Sequence, residues 1–234
     1  MEKTNTTEGK IEGMFKAGAH FGLSKARRHP SVAPYIYGQK NKTEVFNLEK
    51  TAVLFDEAEK FMEKLGAENK VVLFVASKNE AREAIRYAGE VLDMPFCAGR
   101  WIGGSLTNFS EIKKRVNLLE SLRDQSEKGE LARYTKKEQL LIKREMEELE
   151  KRFSGITSLK KAPDAMVVVD SKKEYIAVAE ALQKKVPILG YVSSDCDLSV
   201  IDYPVVGNDT SKESIKFFIN HMVEAYLRGK KSIA

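Results

Sequence analysis

The chain has 234 residues, enough for one large α/β domain or for a domain carrying an insertion. It is 42% hydrophobic, which supports a packed core, and its net charge of +5 with a pI near 9.0 permits an anionic partner without requiring one. No apolar run reaches the length of a membrane span, and the polar start from Met1 to Lys10, with Glu2 and Glu8, fits neither a signal peptide nor a transit peptide. Cys97 and Cys196 stand far apart outside any Cys-x-x-Cys pair, so a reduced, cytosolic protein is expected, with a buried thiol at Cys97.

Residues 1–9 are polar and are expected to be disordered; Ile11 to Ala17 predicts a short helix ending at Gly18. From Ser24 to Lys42 there is no acidic residue, while Lys25, Arg27, Arg28, His29, Lys40 and Lys42 alternate with Pro30, Pro34, Tyr35 and Tyr37. Prolines and scattered aromatics predict an extended arm, and its charge suits a phosphate backbone. A solvated loop that is merely basic is the plainer alternative. Val45 to Leu48 predicts a strand. Glu49 to Leu65 predicts a helix with Val53, Leu54, Ala58, Phe61, Met62 and Leu65 on its apolar side. The run Val71 to Ala76 reads as a central parallel strand, Ser77 as the cap of a helix over 79–92, and 94–98 as a second strand, together a βαβ unit.

That strand leads into Gly99-Arg100-Trp101-Ile102-Gly103-Gly104-Ser105-Leu106-Thr107-Asn108-Phe109, which holds the single tryptophan and precedes a helical pattern from Ser110. A glycine-rich turn at a helix N-terminus presents backbone N–H groups to phosphate, and Arg100 adds a cation beside them. A tight packed turn with Trp101 buried competes with that reading. No Gly-Lys-Ser/Thr and no G-x-G-x-x-G is present, so a nucleic-acid backbone is the better phosphate than a nucleotide. From Ser110 to Phe153 the chain is charged and helix-forming. Ile112, Val116 and Leu119, then Ile142, Met146, Leu149 and Phe153, form narrow seams of coiled-coil type around a turn at Gln125 to Glu130. These features predict an inserted antiparallel helical hairpin.

The α/β pattern returns with strands at Ala165 to Val169 and Pro187 to Val192, a helix starting at Ser171, and a short extended piece at Ile201 to Val206 broken by Pro204. The last helix opens at Asn208-Asp209 and buries Ile215, Phe218, Ile219, Met222, Val223 and Tyr226. The expected organisation is an N-terminal helix and basic arm over 1–42, an α/β domain over 43–109 and 156–234, and the hairpin over 110–155. An enzyme would place Arg100, Gly103, Gly104, Asp170 and Asp195 at the strand ends as a nucleotide or phosphate site, but no nucleophile–base pair accompanies them. His20 could join Asp195 and Asp197 around a divalent metal if the arm folds back, although a hydrogen-bonded structural histidine is the commoner outcome. No other cofactor is expected.

Several separated segments together resemble a known family: Ala17-Gly18-Ala19-His20-Phe21-Gly22, Pro34-Tyr35-Ile36-Tyr37-Gly38, Asn47-Leu48-Glu49-Lys50-Thr51, the Gly99 to Phe109 turn, Pro163-Asp164-Ala165, Ile201-Asp202-Tyr203-Pro204 and Gly207-Asn208-Asp209. In this order they resemble the bacterial small-subunit ribosomal protein S-two family from about residue 10 to residue 228. The resemblance implies a flavodoxin-like parallel sheet with helices on both faces and an inserted coiled-coil hairpin. It implies a non-catalytic constituent of the small ribosomal subunit, in the cytoplasm, that binds small-subunit rRNA between head and body and helps dock neighbouring proteins, among them S-one. No membrane and no small-molecule substrate are implied. The expected RNA contacts are Lys25, Arg27, Arg28, His29, Lys40, Lys42, Arg100, Gly103, Gly104 and Asn108. The chain departs from the family pattern at Leu23, where a second histidine is common, and at Ser193-Ser194-Asp195-Cys196-Asp197-Leu198, where Asp-Thr-Asn-Cys-Asp-Pro is common.

Overall fold

The computed structural model describes residues 7–159 and 161–232. Residues 1–6, for which disorder was expected, lie outside the described set, whereas 7–9 are helical: α1 spans Thr7–Lys16. Three short strands follow, β1 (Phe21–Ser24), β2 (Ile36–Lys40) and β3 (Thr43–Phe46), and then α2 (Leu48–Ala67). The central run is β4 (Val72–Val75), α3 (Arg82–Leu92), β5 (Phe96–Cys97), α4 (Phe109–Glu127), α5 (Lys136–Phe153) and β6 (Ala165–Val169). It is completed by α6 (Tyr175–Lys184), β7 (Ile188–Val192), β8 (Tyr203–Val206) and α7 (Lys212–Lys231).

The main sheet has the order β5-β4-β6-β7-β8, with every pairing parallel. Counted from its own first strand this is 2-1-3-4-5, the flavodoxin-like order. Alternate side chains of each strand go to opposite faces. Val72, Phe74, Val167, Val169 and Val205 join a core built with α1, α2, α3 and α7. Leu73, Val75, Met166, Val168 and Val206 join a second core with α4, α5, α6 and Trp101. That two-sided burial is why β4, β6 and β7 read as unbroken apolar runs. On the first face α2 and α7 approach closely enough that a methyl at Gly66 or Gly229 would strike the facing backbone at Tyr226 or Glu63.

Several local expectations are corrected. The acid-free stretch is not an extended arm: β1, β3 and β2 form an antiparallel three-stranded sheet in that order, linked through 3-10 turns at Lys25–Arg27 and Pro30–Tyr35. The two-residue turn between β2 and β3 holds Asn41 and Lys42 at φ 50 and 65, the twist a tight hairpin needs but without the usual glycine. In α2 the buried face is Ala52, Phe55, Ala58, Met62 and Leu65, and Val53 is exposed. Ser77 does not cap; a 3-10 turn at Asn79–Ala81 precedes α3, with no side-chain cap at Lys78. α6 begins at Tyr175, not Ser171, and exposes Tyr175, Ile176 and Leu182. Pro204 does not break β8, which is an edge strand where a missing N–H is tolerated. Cys97 is half-buried, not buried.

Helices α4 and α5 pack on each other through the 3-10 link Glu130–Arg133, and Arg123 pairs with Glu150 at 2.9 Å. Thr135 and Glu138 close a capping box that starts α5. The buried seam is Ile112, Val116, Leu119 and Leu122 against Leu149 and Phe153, continuous with the second core face of the sheet.

Candidate nucleic-acid interface

The carboxyl ends of the parallel strands are where open α/β sheets bind ligands, at the point where strand order reverses. Here that point lies between β4 and β6, and the chain fills it with its own charges. Lys78, just past β4, sits 2.8 Å from Asp170 at the end of β6 and 3.0 Å from Asp209 beyond β8. The carboxylate of Asp209 is 1% exposed, and the Lys78 ammonium is its neighbouring cation. Burial pushes the Asp209 carboxyl up to about 6 against the pull of Lys78. Burial also works against the Lys78 ammonium, but Asp209 and Asp170 raise it by more. Next to them Glu174 accepts the Ser77 N–H at 2.7 Å, and burial raises its carboxyl as well.

Over β7 and β8 the crevice is closed by the N-terminal segment. Leu23 N–H donates to Ser194 Oγ at 3.0 Å, His29 N–H to the Ser194 carbonyl at 2.8 Å, and Leu198 N–H to Ser31 Oγ at 3.1 Å. The Asn208 side chain donates to the Gly18 carbonyl at 3.0 Å. The crevice over β7 and β8 is therefore occupied by protein, and two residues of the nucleotide-site alternative, Asp170 and Asp195, are already paired with Lys78 and Lys172.

The glycine-rich turn does bind an anion through its N–H groups, but the anion is internal. Glu180 of α6 accepts Trp101 Nε1–H at 3.1 Å and Gly104 N–H at 2.8 Å on Oε1. On Oε2 it accepts Leu106 N–H at 2.9 Å, Thr107 N–H at 3.0 Å and the Thr107 hydroxyl at 3.0 Å. Burial would raise this carboxyl; the converging donors from Thr107, Trp101, Leu106 and Gly104 outweigh burial and hold it below the ordinary carboxylate range. The Gly104 amide is thus not free to meet phosphate. Arg100, Gly103 and Asn108 remain exposed on the rim of the turn. Trp101 is 6% exposed, so its emission in the native protein is expected to be blue-shifted and poorly quenched by iodide. A red-shifted, readily quenched spectrum would place the ring outside.

The expected metal set does not assemble. His20 lies between Phe15 and Phe21, at ring separations of 4.5 and 4.0 Å, with no hydrogen-bond partner for Nδ1 among the described residues and burial lowering its pKa. Asp195 pairs with Lys172 at 3.0 Å, and Asp197 accepts the Ser199 N–H at 2.9 Å, with His29 at 3.8 Å. Among the described residues the one cluster with metal-ligand spacing is Asp170, Cys196 and Asp209, whose ligand atoms lie within 4.8 Å of one another. The Lys78 ammonium already supplies its cation. Both thiols are free and held protonated by burial, Cys97 pushed to about 11 and Cys196 to about 12.

The basic residues of the small sheet divide into two groups. Arg28 is used internally, 3.1 Å from the buried carboxylate of Glu44, and His29 is tied to Ser31 at 2.8 Å. Lys25, Arg27, Lys40 and Lys42 are exposed, and none makes an ion pair among the described residues. Both Ser24 and Lys40 pair with Thr43, from opposite sides of β3, so β1 and β2 end together. Their four cations therefore gather at one end of the small sheet.

A family model described as Ribosomal protein S2 matches residues 14–229. The chain belongs to the ribosomal protein S2 family. Its role is that of a structural constituent of the small ribosomal subunit, in the cytoplasm, and not of an enzyme. Small ribosomal subunit protein uS2 of Wolinella succinogenes is 37% identical over 220 residues, covering 94% of this chain and 81% of that protein. That of Helicobacter hepaticus is 36% identical over 220 residues, 94% and 83% respectively. That of Mesoplasma florum is 38% identical over 213 residues, 91% and 80% respectively. The positions at which this member departs from the usual ribosomal S2 pattern meet in space, since the Leu23 N–H is the donor to Ser194.

Proposed function

We propose that this ribosomal S2 family member binds small-subunit rRNA between head and body through the cationic end of its N-terminal sheet, and that it docks a neighbouring ribosomal protein such as S-one. The observation that carries the RNA contact is the convergence at one end of the small sheet of Lys25, Arg27, Lys40 and Lys42, which make no ion pair among the described residues. Lys42 is held there in a left-handed backbone conformation, which costs a non-glycine residue about 1 kcal/mol and puts its side chain at the hairpin tip. Exposed Phe15 and Phe21, flanking His20, offer an aromatic surface of the kind that protein contacts use, which supports the docking half.

The test is salt dependence. Replacing Lys25 and Arg27 with alanine is expected to reduce the magnitude of the log–log salt slope for association with protein-depleted small subunits by roughly two, one per lost phosphate contact. Arg28 is left intact, because removing it strands the Glu44 carboxylate and confuses folding with binding. A slope equal to that of the wild type would remove this end of the sheet from the interface.

A further inference from the structure

At the other edge of the main sheet, beside β5, a cavity of about 330 Å³ opens between α3, the turn after β5 and the end of α5. Arg86 enters it from α3, Arg100 from the turn, and Lys151 and Arg152 from the last turn of α5; Glu90 is the one acidic residue on its wall. All four cations are exposed. Arg152 has a partner, Glu148 at 3.3 Å, in a solvated pair, whereas Arg86, Arg100 and Lys151 make no ion pair among the described residues. The negative end of the α5 dipole accounts for cations in its own last turn. It does not account for Arg86 and Arg100, which come from other elements. We propose that this cleft is a second phosphate-binding site for the RNA backbone, held in place by the base of the helical hairpin; the inference rests on the RNA-binding function proposed above.

The walls of the cleft are fixed relative to one another. Phe96 of β5 is gripped between Gly89 of α3 and Gly155 at the hairpin exit, and a methyl at either glycine would come within 3.0 Å of Phe96 atoms. Close contact on both sides of one ring sets the separation of Arg86 from Lys151 before any ligand arrives. A preformed spacing lowers the ordering cost of binding. The chemistry favours phosphate: guanidinium groups bind its oxygens through paired N–H donors, and lysine adds a point charge. It favours nucleic acid over an acidic protein segment because four cations face one acid on the lining, and the one large apolar residue there, Phe96, is half-buried and clamped between two glycines and not free to anchor a protein partner. Within the glycine turn the Gly104, Leu106 and Thr107 N–H groups are engaged by Glu180, and the turn presents Arg100 at the rim of the cleft.

This cleft borders β5, and the small sheet caps β7 and β8, so the two cationic sites flank the carboxyl edge of one sheet. With strands spaced about 4.8 Å apart, the strands that the two sites border, β5 on one side and β7 and β8 on the other, lie roughly 15–20 Å apart. An RNA segment gripped at both points would be held against that edge, with the hairpin projecting from one of the grips.

The test compares Arg86→Gln with Lys151→Gln, as a double variant, against the charge-keeping pair Arg86→Lys with Lys151→Arg. Binding of each to deproteinised small-subunit rRNA and to protein-depleted small subunits is measured across a salt series, with thermal melting as a fold control. The glutamine pair is expected to lose roughly two units of salt slope on both targets and the charge-keeping pair none. As a check that needs no variant, rRNA should protect the Lys151 amine of the wild type from an amine-reactive reagent. If the wild type binds RNA but the glutamine pair keeps its slope, or Lys151 stays reactive, the cleft is not a phosphate site and the proposed function stands. If the glutamine pair loses binding to particles only and not to naked rRNA, the occupant is an acidic protein surface and the RNA assignment falls. If the wild type itself fails to bind rRNA, both fall together.

Discussion

Replacing Glu180 with alanine is expected to lower the stability of the free protein by about 3 kcal/mol or more, well beyond the effect of removing a typical helical glutamate. The side chain is 7% exposed and is the common acceptor for Trp101, Gly104, Leu106 and Thr107. Each buried donor left unmet costs about 1–3 kcal/mol, and Trp101 and Leu106 are themselves buried, so water reaches only the Gly104 and Thr107 side of the site easily. Glu180→Gln keeps one acceptor oxygen and turns an amide against the other donors, so an intermediate loss is expected. The pH dependence has a definite sign. The folded-state pKa lies below the ordinary value near 4.5, so this contribution is fully present above that value and disappears as pH falls through the folded pKa. The gap between wild type and Glu180→Ala, measured by urea unfolding, should therefore close toward strong acid. A gap that persists unchanged at low pH would mean that packing, and not the charge of Glu180, holds the turn.

Glu180 also shows why part of the site was hidden in the sequence. It lies within a helix at a position where a glutamate normally faces water, and its partners are more than 70 residues away along the chain. The available signal was weak: Glu180 shares a helical face with Ala177 and Ala181, small residues that let α6 lie close to the turn, while the larger Tyr175, Ile176 and Leu182 face outward. Strands buried on both sides were legible because their apolar runs need no register or partner to be recognised, and the last helix was legible because its buried face, Ile215 to Tyr226, repeats cleanly. The charge-rich helices between Ser110 and Phe153 were legible for a similar reason, being locally consistent in propensity and spacing. The small N-terminal sheet was not. Its strands are four or five residues long, half-polar, and joined by Asn41-Lys42 where a hairpin signal would carry glycine. Arg28 looked like any other cation of that stretch until Glu44, a residue just outside it, proved to be its buried partner.

Lys78→Met is expected to produce the second large loss, about 3–5 kcal/mol at neutral pH, because it removes the cation from between two desolvated carboxylates. Asp170 and Asp209 lie 2.8 and 3.0 Å from the ammonium, which also donates to the Asp209 carbonyl at 3.2 Å. The unpaired carboxylates would face each other across a buried cluster that includes Cys196. The pH dependence has the opposite sign to that of Glu180. The Asp209 carboxyl in the folded protein, raised by burial to about 6 from an ordinary value of 3.8, binds its proton more tightly folded than unfolded. Its contribution to stability is fully present below the ordinary value and is lost as pH rises through about 6. Without Lys78 that carboxyl rises further, so the Lys78→Met deficit should be small at about pH 5 and large at about pH 8. Adding Asp209→Asn to Lys78→Met removes one of the stranded charges and should restore much of the loss, since replacing both members of a buried pair is far less costly than replacing one. A Lys78→Met protein that melts like the wild type at both pH values would mean that water reaches these carboxylates freely, and that the strand-end crevice is open and not sealed by the chain's own charges.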